Sequence, residues 1–299
     1  ARKDAAETLH PLYEADGDSE RFLRVLEIQV DTTDDIPARL ALLETAIRTA
    51  EGPLGDSGRA FGYAVRGVKT AAGESDIAKW IDTVERLAES KGSWAELSTL
   101  YRGIVDDILD VEVQQDVRLR IGELGRTKLD DRGLAVEQYK KALEAKSDDR
   151  RAMIALEELY AEAGDSQNLL DILKLRVEAS QDDAEKKKLY YRIADLQKGP
   201  LKDPSGAIST YEALLDVALE KSAIDSVESL YTAAERWSDL IRLYERQLDG
   251  NVGSPADLRV KTATVAYKHT GDVPRAFDEL NAALDVDGSH AGAVSTLET

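Results

Sequence analysis

The residues that could do chemistry are few, and they do not converge in sequence. The three histidines, His10, His269 and His290, fall in different stretches of the chain, so no nucleophilic or metal-binding set is spelled out around them. The segment EGPLGDSGRAFGYAVRGVKTAAG, residues 51–73, holds Gly52, Gly55, Gly58, Gly62, Gly67 and Gly73. A glycine loop that cradles phosphate follows a strand and ends in Gly-Lys-Ser/Thr, and neither feature accompanies this one. The other reading is a loop through Gly55 and then a tightly packed helix in which Gly62 faces a neighbour. DVDGSH, from Asp285, begins like a calcium loop but lacks the third acidic ligand and the closing glutamate of such a loop. A simple turn accounts for it. There is no cysteine, which excludes disulfides, thiolate metal sites and a cysteine nucleophile. Neither catalysis, a metal nor a cofactor is therefore expected. The charge runs DDILD and DDAEKKK read as solvated helix faces and caps.

The remaining candidates are charged side chains, and helices must position them. Of the 299 residues 42% are apolar, only 6% are aromatic and 7 are proline. Ala, Leu, Glu, Asp, Lys and Arg dominate, a mixture that favours helix over strand. The formal charge of −19 should repel phosphate backbones, so nucleic acid is not an expected partner. No apolar run approaches the ~20 residues that span a bilayer, so no membrane insertion is expected. No signal peptide is visible. The first residue is Ala1, not methionine, and the reading is that an N-terminal segment has been cut away. The expected compartment is the cytoplasm, with the periplasm as the alternative.

One pattern is written several times. LEELYAEAGDSQNLLDILKLRV starts at Leu156, VESLYTAAERWSDLIRLYERQL at Val227, VERLAESKGSWAELSTLYRGIV at Val84 and LHPLYEADGDSERFLRVLEIQV at Leu9. The starts are 75, 72 and 71 residues apart, and VSTLE at Val294 opens a fifth copy. The array therefore reads as part of a longer repeat protein. Within the copies Tyr160, Gly164, Leu169 and Leu173 align with Tyr231, Glu235, Leu240 and Tyr244. Ala88, Gly92, Leu97 and Tyr101 align with them, as do Tyr13, Gly17, Phe22 and Leu26. An apolar stripe at helical spacing ends near the Tyr or Ala. A Gly then suits the left-handed residue after a helix, and Asp165 or Ser93 caps the next one. Glu235 replaces that Gly once, so its turn is expected to be built differently or to be strained. Trp94 and Trp237 are expected to pack at the start of the second helix. Pro11 should shorten or kink the first helix.

A second hairpin lies between these copies, at 118–143, 189–215 and 259–284. Its second helix alternates small and large residues: Ala135, Tyr139 and Ala142; Ala207, Tyr211 and Leu214; Ala276, Leu280 and Ala283. Small residues let helices approach while large ones fill the gaps between them. Tyr139, Tyr211 and Tyr244 should be largely buried.

Helix–turn–helix units of about 34 residues resemble the tetratricopeptide repeat. The best match is 260–287, where Thr264, Tyr267, Gly271, Ala276, Leu280 and Ala283 take the family's small, aromatic, Gly, small, large and small positions. Gly288 and Ser147 stand where that family usually has Pro, and TKLDDRG and GPLKDPSG carry roughly one extra turn residue. The resemblance implies an all-α fold: a right-handed α-solenoid of stacked hairpins, about 16 helices, forming one domain over 1–299. Four-helix units are expected at 4–78, 79–150, 151–221 and 222–288, with a further one begun at 289–299.

The resemblance also implies a concave face lined by the first helix of each hairpin. Aligned from the turns, its exposed rows hold Glu123, Arg126, Arg151, Glu158, Lys188, Tyr191, Asp195, Lys198, Lys261 and Lys268. One reading is a pocket for acidic or C-terminal carboxylate groups. The other is a set of ordinary ion pairs between adjacent helices. The family's two-carboxylate clamp, with Lys and Asn at set positions, is missing. The function expected is a protein–protein interaction scaffold within a larger, bacterial-type protein. A regulatory or sensor module that binds a peptide or small molecule in the groove is the alternative. Partners should be proteins or peptides with basic or amphipathic segments. The apolar end at Val294 to Leu297 could also let copies associate end to end.

Overall fold

A computed structural model describes residues 2–297. Among them are seventeen α-helices and no strand. The chain divides into two compact units, Ala1–Leu159 and Tyr160–Thr299. The first holds α1 (Arg2–Asp16), α2 (Ser19–Thr32), α3 (Ile36–Glu51), α4 (Ser57–Ala71), α5 (Ile77–Lys91), α6 (Trp94–Ile104), α7 (Val111–Thr127), α8 (Arg132–Ala145) and the start of α9 (Arg150–Ala163). The second holds α10 (Ser166–Ala179), α11 (Asp183–Lys198), α12 (Pro204–Val217), α13 (Lys221–Ala233), α14 (Trp237–Asp249), α15 (Pro255–Val265), α16 (Val273–Val286) and α17 (Ala291–Leu297). The architecture is an all-α solenoid of helical hairpins. Of the further unit expected at 289–299, Glu298 and Thr299 lie outside the described residues.

Every hairpin turn is made in one way. A left-handed residue stands directly before the N-cap residue of the second helix. Gly17, Gly55, Gly92, Gly164 and Gly271 supply the positive φ in five turns. Asp130, Lys202 and Glu235 take φ of 51°, 50° and 54° in the others. These are the two turns with an extra residue and the one in which Glu235 replaces Gly. A side chain with a Cβ is strained there, by ~1–2 kcal/mol relative to the right-handed region. The cap is usually aspartate: Asp165 accepts a hydrogen bond from the Asn168 N–H at 3.2 Å, and Asp18, Asp56, Asp131, Asp203 and Asp272 act alike. Ser93 differs from expectation, because its side chain makes no cap hydrogen bond. Pro11 sits inside α1, which runs fifteen residues without stopping at it.

Burial follows the small–large rhythm of the second helices. Ala135, Ala142, Ala207, Leu214 and Ala283 have no exposed surface, and Tyr139, Tyr211 and Tyr244 are all buried. Each unit thereby has its own apolar core, the first around Trp80, Leu87, Tyr101 and Ile121, the second around Tyr211, Val227, Ile241 and Leu280. The close approach in the glycine-rich stretch is at Gly67, not Gly62. A Cβ on Gly67 would lie 2.0 Å from two ring carbons of Trp80, whereas Gly62 faces open space. Trp94 and Trp237 are half-buried. The Lys128 ammonium lies 4.8 Å from the Trp94 ring, and the Trp237 ring stacks on His269 at 3.7 Å. Val294 and Leu297 are 40% and 36% exposed.

Candidate functional site

The first helices of successive hairpins are tied by a ladder of opposite charges, each rung joining residues 32 to 35 apart in sequence. In the first unit Lys79 of α5 bonds Glu44 of α3, and Arg86 bonds Glu51 at 2.6 Å. Arg120 of α7 reaches Glu85 of α5 and, at 2.6 Å, Asp116 on its own helix. Arg151 of α9 donates to the other Asp116 oxygen at 3.0 Å. Beside this chain Arg126 donates to Glu158 of α9 at 2.7 Å and to Glu123 at 3.1 Å, and the Tyr139 hydroxyl donates to Glu123 at 3.1 Å. These groups surround a trough of about 430 Å³ floored by Leu119, Ile154 and Ala155. Burial opposes the charge of Asp116, but the hydrogen bonds and charges of Arg120 and Arg151 outweigh it and hold the carboxyl below its usual range. The Arg86 hydrogen bond does the same for Glu51.

The second unit repeats the device. Lys187 of α11 donates to Glu220 at 2.5 Å, and the Tyr191 hydroxyl lies 3.2 Å from the same carboxylate and 2.5 Å from the Ser222 hydroxyl. Lys198 donates to the Tyr211 hydroxyl at 3.0 Å and lies 3.7 Å from Asp195. Lys261 of α15 donates to Glu228 of α13 at 2.9 Å and stands over the Tyr244 ring. His290 meets Asp257 at 2.9 Å. Lys188 and Lys268 are exposed and join no such rung. The structure thus brings Arg126, Arg151 and Glu158 together in one trough, and places Tyr191, Lys198 and Lys261 on separate rungs. Sequence reasoning passed over Arg120, Asp116, Lys187 and Glu220. Opposite charges recurring at the hairpin period would have marked them. Among the described residues no group of three or more His, Cys, Asp or Glu side chains could hold a metal.

Five buried tyrosines lie beside carboxylates. Burial and a neighbouring carboxylate raise the hydroxyls of Tyr63, Tyr101, Tyr139, Tyr231 and Tyr244 above their ordinary value of 10.0. An unfolded tyrosine titrates near pH ~10. Between that value and the higher folded one, the folded chain holds more protons than the unfolded chain. Their contribution to stability is therefore intact below pH ~10 and is lost as pH rises beyond it. Tyrosinate absorbance and circular dichroism, followed together, should show these hydroxyls ionising as the helices melt. Full ionisation with helicity intact would contradict the burial described.

Residues 223–256, covering α13 and α14, match the tetratricopeptide repeat family profile. This is a tetratricopeptide-like repeat protein. The match is not on 260–287, where the sequence pattern places it, and that copy departs in geometry. Its first helix ends in a π turn, Ala266–Thr270, which buries Ala266 fully and leaves Tyr267 51% exposed. The equivalent Tyr231 of the matched hairpin is 6% exposed. No curated protein matches the chain. Solved structures to which it is similar include YrrB, a TPR protein with an unusual peptide-binding site, at 15% identity over 61% of this chain and 91% of that one, TM-score 0.30. A tetratricopeptide repeat protein from Parabacteroides merdae is 12% identical over 87% of this chain and 97% of that one, TM-score 0.37. In the structure of Naa15/Naa10 bound to HypK-THB the likeness is 14% identity over 98% of this chain and 44% of that one, TM-score 0.44.

Proposed function

We propose that this repeat protein is a non-catalytic scaffold that holds partner proteins or peptides on its first-helix face. Tetratricopeptide arrays are interaction modules, and arrays of this kind present extended surfaces. The observation that carries the reading is the α7–α9 trough, where Arg120, Arg126 and Arg151 alternate with Asp116, Glu123 and Glu158 over an apolar floor. Exposed rungs of this sort are worth only ~0–1 kcal/mol each, so a partner's charges can replace them at little cost. The excess of acidic residues, 58 against 39 basic ones, favours segments rich in Lys or Arg.

An array of synthetic peptides, basic and acidic, tests this. Basic or amphipathic peptides should be retained, and the double substitution Arg126→Ala with Glu158→Ala should weaken them about tenfold, since each ~1.4 kcal/mol is a factor of ten. Retention unchanged by that substitution would remove the trough from the binding surface.

A further inference from the structure

We infer that a cavity between α10, α11 and α12 is a binding site for a primary carboxamide, the side-chain group of asparagine or glutamine, on a partner protein. The inference does not rest on the first-helix trough. At its centre is Gln197, near the end of α11, which is only 3% exposed. The Gln197 oxygen accepts a hydrogen bond from the Thr210 hydroxyl at 2.7 Å. That leaves Nε2 on the other side, and among the described residues it has no hydrogen-bond partner. A flipped amide would set its oxygen against the Asp203 carboxylate instead. A buried N–H group left unpaired is costly, so water or a ligand satisfies it.

Two comparisons within the chain show that packing does not require the amide. In four hairpins the N–H of the capping aspartate bonds a first-helix carbonyl six residues back. That carbonyl belongs to Ala50, Gly125 and Ala266 in three of them, and to Gln197 in the fourth. The third residue after the cap is Arg59, Leu134 and Arg275 in the same three, and Gly206 in the fourth. Long and short side chains have changed places. An exchange of volume alone needs no amide, because an aliphatic side chain fills space without burying a polar group. Gln197, Thr210 and Gly206 also line a cavity of about 340 Å³, room for much more than one water.

The walls select the group. Asp203 caps α12 with Oδ1, which accepts the Gly206 N–H at 2.9 Å. Its Oδ2 and the Gln197 Nε2 both crowd the place where a Gly206 Cβ would stand. The cavity thus presents an acceptor and a donor side by side. A primary carboxamide answers both at once, with an N–H on the same side as its oxygen. Lys174 and Glu178 stand exposed on the rim with opposite charges, which favours an uncharged group. A carboxylate would meet Asp203, and an ammonium would meet the Gln197 N–H groups. Val177, Ile193 and Ala213 form an apolar bed for the stem of the side chain.

The test titrates a blocked tripeptide, acetyl-Ala-Gln-Ala-N-methylamide, into the isotopically labelled full chain, followed by nuclear magnetic resonance. Its one primary carboxamide is the glutamine side chain. The Gln197 side-chain amide signal, identified by its absence from Gln197→Leu, should shift and saturate. Peptides with methionine or glutamate in place of glutamine should bind more weakly by about tenfold or more. Gln197→Leu should weaken the glutamine peptide as much and leave the denaturant midpoint unchanged or higher. The unpaired amide is then gone, and the Thr210 hydroxyl can bond its own helix as Thr49 does. Asp203→Asn keeps the cap but turns an N–H group toward the cavity, so the preference should pass to the glutamate peptide. Four results would each overturn the inference. The first is no saturable shift. The second is a methionine peptide that binds as well as the glutamine one, which would make the main chain the group recognised. The third is a destabilised Gln197→Leu, which would make the amide structural. The fourth is an unchanged preference in Asp203→Asn. The peptides carry no basic residue, so failure of the first-helix trough leaves all of these outcomes readable.

Discussion

Replacing Tyr211 with alanine is expected to be among the most damaging single changes in the second unit. The ring is 2% exposed and belongs to the core with Ile208, Leu214, Ile224 and Val227. It meets Tyr191 edge-on at 6.3 Å, and Lys198 lies over its face while donating to its hydroxyl. Truncating a buried aromatic loses its transfer free energy and leaves a cavity that the helices fill only in part, together ~3–5 kcal/mol. Tyr211→Phe separates the ring from the hydroxyl. It keeps the packing and removes one partly exposed hydrogen bond, so a cost of only ~1 kcal/mol is expected. Urea titration of both variants, followed by circular dichroism, measures the difference. An alanine variant as stable as native would mean that the ring does not fill the core. A phenylalanine variant as damaged as the alanine one would place the stability in the Lys198 contact.

Much of this fold was legible because hairpins write their turns into the sequence. The Tyr–Gly–Leu–Leu spacing fixed the phase of the helices, and the left-handed residues fall at Gly17, Gly92, Gly164 and Gly271, as that spacing requires. Even Glu235 obeys, keeping φ at 54° despite its Cβ, because the flanking helices fix the path of the chain there. The π turn at Ala266–Thr270 was not legible. An added residue in a last helical turn leaves the apolar spacing upstream intact, and only packing shows that Ala266 has replaced Tyr267 in the core. The candidate surface was half legible. The helix face of Arg126, Arg151 and Glu158 follows from the period, whereas the partner of each charge depends on which rotamer reaches the next helix. Lys187, not Lys188, makes the rung to Glu220, because consecutive residues of a helix point about 100° apart.

Two of the three glycines of α4, Gly62 and Gly67, should respond to alanine with opposite signs. Gly67 is buried beneath Trp80, which is 1% exposed, and a new methyl would overlap ring carbons at 2.0 Å. That distance is far inside van der Waals contact, normally ~3.5–4.0 Å between carbons. The indole has little freedom to move away, being walled in by the first-unit core with Ile77, Ile81 and Val84. Overpacking of this kind costs ~1–3 kcal/mol and at times more. The better helix propensity of alanine returns only ~1 kcal/mol. Gly67→Ala should therefore be net destabilising. Gly62 is exposed, with nothing near its missing Cβ, so Gly62→Ala keeps the propensity gain and should stabilise α4 by up to ~1 kcal/mol. The difference between the variants isolates the helix contact, because composition, helix and unfolded-state entropy change alike in both. Denaturant midpoints that moved in the same direction by the same amount would mean that α4 and α5 are not in the close contact that Trp80 and Gly67 define.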